Sequence, residues 1–248
     1  MKEKNLNIKK NPNLFIGRNI SAETKSWLAI ENIGFEEHPF IRIVLSEPGF
    51  QLFYSKDKKP EQFVVSSQWA AKWLVKYKTE IGFKKNDSIF CLSERQRKIC
   101  STISGNIFVA EQPNAFSLAH LAGAMNSGKR MVYLHGNRSL NDFETEMTSL
   151  GIGVQKIEVY QNLPVLKTLS NTFGAYLFFS PSGVENFVKS GNLIPSASVI
   201  SVIGTTTAKT CERLFCREIF ISKTQEELAA VQFAAGFLKH SEIRLNTI

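Results

Sequence analysis

Eight short runs of apolar, β-branched or aromatic residues punctuate this chain. They are LFIG 14–17, FVVS 63–66, SIFCL 88–92, IFVA 107–110, RMVYL 130–134, YLFFS 176–180, VISVIG 199–204 and EIFIS 218–222. Most are continuous rather than alternating. A strand with one wet face alternates, whereas a strand covered on both faces does not. The runs therefore predict parallel sheet with helices on both sides.

Helical patterns lie between them. Trp69, Trp73 and Tyr77 fall four apart, and Leu140, Phe143, Met147 and Leu150 form one stripe ending at Gly151, a natural helix terminator. Ser182-x-x-Glu185 and Thr224-x-x-Glu227 read as capping boxes that open helices, and Gly34 and Gly191 as residues that close them. Strand, polar turn, helix, strand describes an α/β chain with right-handed crossovers.

So many units exceed one small sheet and leave two architectures open: one barrel, or two doubly wound sheets. Residues 35–54 and 152–166 break the alternation, being strand-like with no helix to follow. These two segments are candidates to pair as a two-stranded connector between lobes. The N-terminal unit 14–33 is too small to stand alone, and the C-terminal βα units are candidates to receive it.

Composition removes several classes. The chain has 248 residues, 43% hydrophobic and 21% charged, enough apolar content for a real core. No apolar run approaches the roughly 20 residues of a membrane span. The opening MKEKNLNIKKNPN lacks the apolar core of a secretory signal. Cys91, Cys100, Cys211 and Cys216 form no C-x-x-C pair, and His38, His120, His135 and His240 are scattered. Neither set has zinc-site spacing, so no metal is expected. Unpaired cysteines without a signal fit a reducing cytoplasm, with Cys211 and Cys216 in or near the core.

The net charge of +8 points to an anionic partner: nucleic acid, phosphate or a polycarboxylate. Residues 2–10 hold four lysines against one glutamate, so part of the excess sits in a tail. Lys56-Asp57-Lys58-Lys59 and Gly128-Lys129-Arg130 read as solvated turns, and Glu94, Arg95, Arg97 and Lys98 as a charged helix face. No recognition-helix or RNA-binding motif accompanies the charge, which argues against nucleic acid.

In open α/β sheets ligands bind beyond the carboxyl ends of the strands. The turns there are SSQ 66–68, HGNRS 135–139, SPSG 180–183, GTTTA 204–208 and SKT 222–224. Hydroxyls and free N–H groups at helix starts hold anions, although Ser and Thr at such positions also serve as ordinary caps. The G-x-x-x-x-G-K-[ST], G-x-G-x-x-G and G-x-S-x-G motifs are all absent, which argues against nucleotide and serine hydrolysis.

VYQN 159–162, FFSPSGVENF 178–187 and VIGTTTAKT 202–210, in that order and spacing, resemble the uroporphyrinogen-III synthase family. RMVYLHGNRS 130–139, SKTQEEL 222–228 and LFIGRNI 14–20 are similar to further family segments. The resemblance implies two lobes, each a parallel sheet flanked by helices, joined by a two-stranded connector with the site in the cleft. The expected boundaries are 1–36 with 166–248 for the first lobe, 46–156 for the second, and 37–45 with 157–165 for the connector.

It also implies closure of hydroxymethylbilane, a linear tetrapyrrole, to uroporphyrinogen III without cofactor or metal. Tyr160 matches the family tyrosine and is the candidate acid. Ser180, Ser182, Gly183, Thr206, Thr207 and Thr224 match the turns that grip carboxylates. Asn137, Ser66 and Arg18 are further binding candidates. A monomer is implied, with at most a transient contact with the enzyme that precedes it.

The sequence departs from the family at FCLSERQRK 90–98, which lacks the usual glycine and threonine, and at Thr205, where proline is usual. The first departure motivates an alternative reading: a non-catalytic bilobal module that holds a tetrapyrrole or another polyanion.

Overall fold

A computed structural model describes residues 13–48, 61–126, 128 and 130–245, with side chains described through Leu238. The lysine-rich tail at 2–10 and the 56–59 cluster lie outside the described residues. In chain order the elements begin β1 (Leu14–Ile16), α1 (Ala22–Ile30), β2 (Phe35–Glu37), β3 (Ile41–Leu45), β4 (Gln62–Val65), α2 (Gln68–Lys76) and β5 (Ser88–Cys91). Next come α3 (Glu94–Cys100), β6 (Ile107–Val109), α4 (Ala115–Ala124), β7 (Met131–Gly136), α5 (Asp142–Ser149) and β8 (Val154–Pro164). The chain ends with β9 (Ala175–Phe178), α6 (Pro181–Lys189), β10 (Val199–Val202), α7 (Thr205–Phe215), β11 (Phe220–Ile221) and α8 (Glu227–Leu245). Each of the eight apolar runs overlaps a strand.

Two compact units result: Met1–Arg42 with Pro164–Ile248, and Ile43–Leu163. The first is a five-stranded sheet in the order β11-β10-β9-β1-β2, whose pairs are all parallel. Its two faces are covered separately. Phe15, Tyr176, Phe178, Val184, Phe187, Ala208 and Cys211 pack on the α6 and α7 side. Leu14, Ile16, Leu28, Leu177, Val231 and Ala234 pack on the α1 and α8 side. Successive strand residues thus enter opposite cores, which is why the runs are continuous. Each fully buried Val, Leu, Ile or Phe among them contributes about 1.5–3 kcal/mol.

The second unit is a six-stranded sheet in the order β3-β8-β7-β4-β5-β6. One face carries α2 and α3, with Phe63, Val65, Trp73, Leu134, Ile157 and Val159. The other carries α4 and α5, with Val64, Phe90, Tyr133, Phe143 and Met147. β3 is the edge strand beside β8. Two sheets, not one barrel, resolve the alternatives left open above.

Several local expectations need correction. Ser182 does not cap α6: the cap is Ser180, whose hydroxyl accepts from Gly183 N–H at 3.1 Å. Pro181 takes the first helical position, where its missing N–H costs nothing, and Glu185 instead reaches Arg213. Thr224 does not open α8, which begins at Glu227. Asn32, at φ 54°, makes the left-handed turn after α1 that was expected of Gly34. Gly151 and Gly191 do adopt positive φ.

Cys216 is exposed, because it is the left-handed cap of α7. Leu140 precedes α5 and is 73% exposed, so the core-facing stripe reduces to Phe143 and Met147. Arg130 is half-buried and paired rather than free in solvent. It reaches Glu61 at 2.8 Å and also bonds Gln155.

Candidate functional site

Where neighbouring parallel strands send the chain to opposite faces, their ends diverge and leave a crevice. In each unit one such point lies between two interior strands. In the second, β4 leads to α2 on one face and the adjacent β7 leads to α5 on the other. The segments that follow are Ser66-Ser67 and Asn137–Ser139. In the first unit, β1 leads to α1 and the adjacent β9 leads to α6, which brings Gly17-Arg18 beside Phe179-Ser180.

The second unit gathers a hydroxyl cluster at its switch point. Ser66 Oγ lies 2.8 Å from Tyr133 Oη, which lies 3.1 Å from Ser139 Oγ. Tyr133 is buried. Ser67 caps α2 by accepting from Ala70 N–H. Asn137 holds the end of β8: its N–H donates to Tyr160 O, and its Oδ1 accepts from Asn162 N–H at 2.9 Å.

Tyr160 comes to Ser67 through a bulge. The β7–β8 register runs His135 to Glu158 and then Gly136 to Tyr160, leaving Val159 as an extra residue in β8. In a regular strand Tyr160 faces away from Val159. The bulge returns it to the same face, where it packs on the α2–α3 core. Burial raises its pKa above the usual tyrosine value. A hydrogen bond with Ser67 draws it partly back, and nearby Tyr133 adds to the rise. Tyr160 therefore holds its proton at neutral pH.

The first unit places its candidates less evenly. Arg18 pairs with Glu227 at 3.1 Å and lies 4.9 Å over the Phe179 ring. Glu227 also accepts from Ser21 N–H at 2.7 Å and from Thr24 Oγ1 at 3.0 Å. Burial alone would raise the Glu227 pKa, but these bonds and Arg18 outweigh it and hold it below the ordinary carboxylate value. Ser182, Gly183 and Thr207 are buried in the first turns of α6 and α7. Thr205 and Thr206 are exposed at the start of α7, which has no side-chain cap. Thr224 is exposed beyond β11.

Turn position and the family resemblance gave Ser66 and Asn137 as candidates. They did not single out Ser67, which lies in the same turn and meets Tyr160, or Tyr133, which meets Ser66. Strand alternation separates the serines: Ser66 continues the face of Val64 and meets Tyr133, while Ser67 continues that of Val65 and meets Tyr160. On the altered segment 90–98, Gln96 is buried and bonded to Ser93, while Arg97 pairs with exposed Glu94. Among the described residues, no three His, Cys, Asp or Glu side chains cluster as a metal site, and no helix is long and apolar enough to cross a membrane.

Fold and site together define a bilobal α/β protein whose polar side chains gather beyond the carboxyl ends of parallel strands. The uroporphyrinogen-III synthase HemD family profile matches residues 37–232. The chain belongs to that family, enzymes of tetrapyrrole biosynthesis.

Two solved structures have the same fold. The uroporphyrinogen-III synthetase of Helicobacter pylori 26695 aligns with a TM-score of 0.65 at 16% identity, covering 91% of this chain and 99% of that one. A mutant uroporphyrinogen III synthase of the extremely thermophilic bacterium Thermus thermophilus aligns at 0.61 and 13% identity, covering 92% and 99%. No curated protein matches the sequence.

Proposed function

We propose that the chain closes hydroxymethylbilane to uroporphyrinogen III, with loss of water and inversion of ring D. The observation that carries this reading is Tyr160: a family-matching tyrosine that a bulge turns onto the switch-point face beside Ser67.

Hydroxide is a poor leaving group, so departure of the terminal hydroxyl needs a proton donor. Tyr160 supplies it: a tyrosine is protonated at neutral pH, and burial opposes the phenolate further. A positioned acid is worth about 10²–10⁴ in rate. The cation left behind is stabilised by the pyrrole itself, so the protein has little covalent work to do.

Its other task is to hold the acetate and propionate side chains so that ring D turns over rather than closing directly. The uncapped first turn of α7, with Thr206 exposed and Thr205 beside it, offers N–H groups and hydroxyls for a carboxylate. Ser66 and Asn137 line the switch point of the second unit. Ser182, Gly183 and Thr207 shape these turns from within, Arg18 is held by Glu227, and Thr224 stands beyond β11.

The test is incubation with hydroxymethylbilane generated in situ, followed by chromatography of the isomers. Type III product is expected. Type I alone would overturn the reading.

A further inference from the structure

We propose that Gly136 is the positioning residue of Tyr160, keeping an open floor for the phenol ring. The inference deepens the reading above and rests on Tyr160 being the proton donor.

Gly136 ends β7 and pairs with Tyr160 across the bulge. A Cβ added there would lie 2.3 Å from Tyr160 Cζ, 2.4 Å from Cε2 and 2.8 Å from Oη. These are the three nearest atoms, and all belong to one side chain. The ring thus occupies the volume that any other residue would fill. At Gly17, by contrast, an added Cβ would come no nearer than 3.0 Å to the Phe178 ring.

The usual reason for a glycine does not apply. Gly82, Gly128, Gly151 and Gly191 have positive φ and nothing within 4 Å of an added Cβ. They serve turns. Gly136 is not among the positive-φ residues, so alanine meets no backbone penalty there. Its constraint is the ring.

Nor can the ring keep its place. Tyr160 O accepts from Asn137 N–H, and Asn137 Oδ1 accepts from Asn162 N–H, which clamps the backbone on both sides of Tyr160's neighbour Gln161. On its core side the ring packs against the α2–α3 cluster. With the backbone clamped, an added methyl moves the half-buried ring, and its hydroxyl with it, out of the place the bulge gives it. A misplacement of about 1 Å at a reacting group costs about 10²-fold in rate.

A kinetic cycle tests this. Gly136→Ala should lower kcat about 10²-fold while KM changes less than about threefold, because Gly136 acts through the donor and not through substrate binding. In the Y160F background the same substitution should change kcat less than about threefold, since no hydroxyl remains to misplace. Wild-type kcat in G136A overturns the proposal, as does an equal loss in both backgrounds.

A Y160F variant that keeps full activity instead overturns the proton-donor reading, and with it the kinetic role of Gly136. A thermal cycle covers the case in which G136A folds poorly. Tyr160→Ala removes the ring, so adding G136A to it should lower Tm far less than adding G136A to the wild type. Equal losses would show that the ring is not the constraint and would overturn the proposal.

Discussion

At the scale of single residues, Tyr160 makes the sharpest claim. Tyr160→Phe keeps the ring and its packing and removes only the hydroxyl. Turnover should fall about 10²–10⁴-fold, while Tm changes little, in steady-state kinetics paired with thermal melts. An unchanged rate would remove Tyr160 from the chemistry.

The residue was legible as part of VYQN, but its aim was not. Aim depends on the bulge opposite Gly136, and a bulge is a property of two paired strands. The same limit hid Ser67. Its turn was visible, yet which of two adjacent serines meets the tyrosine depends on which face each continues.

At the scale of elements, helix starts separate hydroxyls that hold the fold from those that are open. Ser180 caps α6. Ser180→Ala should therefore cost about 1 kcal/mol, or about 2–4 °C in Tm for a chain of this size. An unchanged Tm would deny the cap.

Glu227 ties the start of α8 to that of α1. Its pKa is held below the ordinary 4.5, so the folded state binds the proton less readily than the unfolded chain. The resulting stability is complete above about pH 4.5 and is lost as pH falls through the lower folded value. Glu227→Gln should lower Tm at neutral pH, and its deficit against wild type should shrink on acidification below pH 4.5. A deficit that stays constant with pH would contradict this.

Neither role was readable beforehand. Serines at 180 and 182 both suit a cap, and the choice turns on Pro181 filling the first helical position. Glu227 reads as half of a capping box with Thr224, but its partners Ser21 and Thr24 lie some two hundred residues away.

At the scale of the molecule, the continuous apolar runs disclosed strands buried on both faces, and the two sheets place successive residues in opposite cores. Whether those strands close into a barrel or lie in two sheets depends on pairing at the edges, which no run encodes. The short family segments, in order, distinguished the architectures where periodicity did not. The excess positive charge left nucleic acid and polycarboxylate equally open. The hydroxyl-lined ends of the strands favour a small carboxylate-bearing substrate.

The most direct test of the whole account is the isomer ratio formed from hydroxymethylbilane as increasing amounts of this protein are added. The account predicts that type III rises at the expense of type I until it dominates. A ratio that stays at the type I product of uncatalysed closure, at any amount of protein, would contradict it.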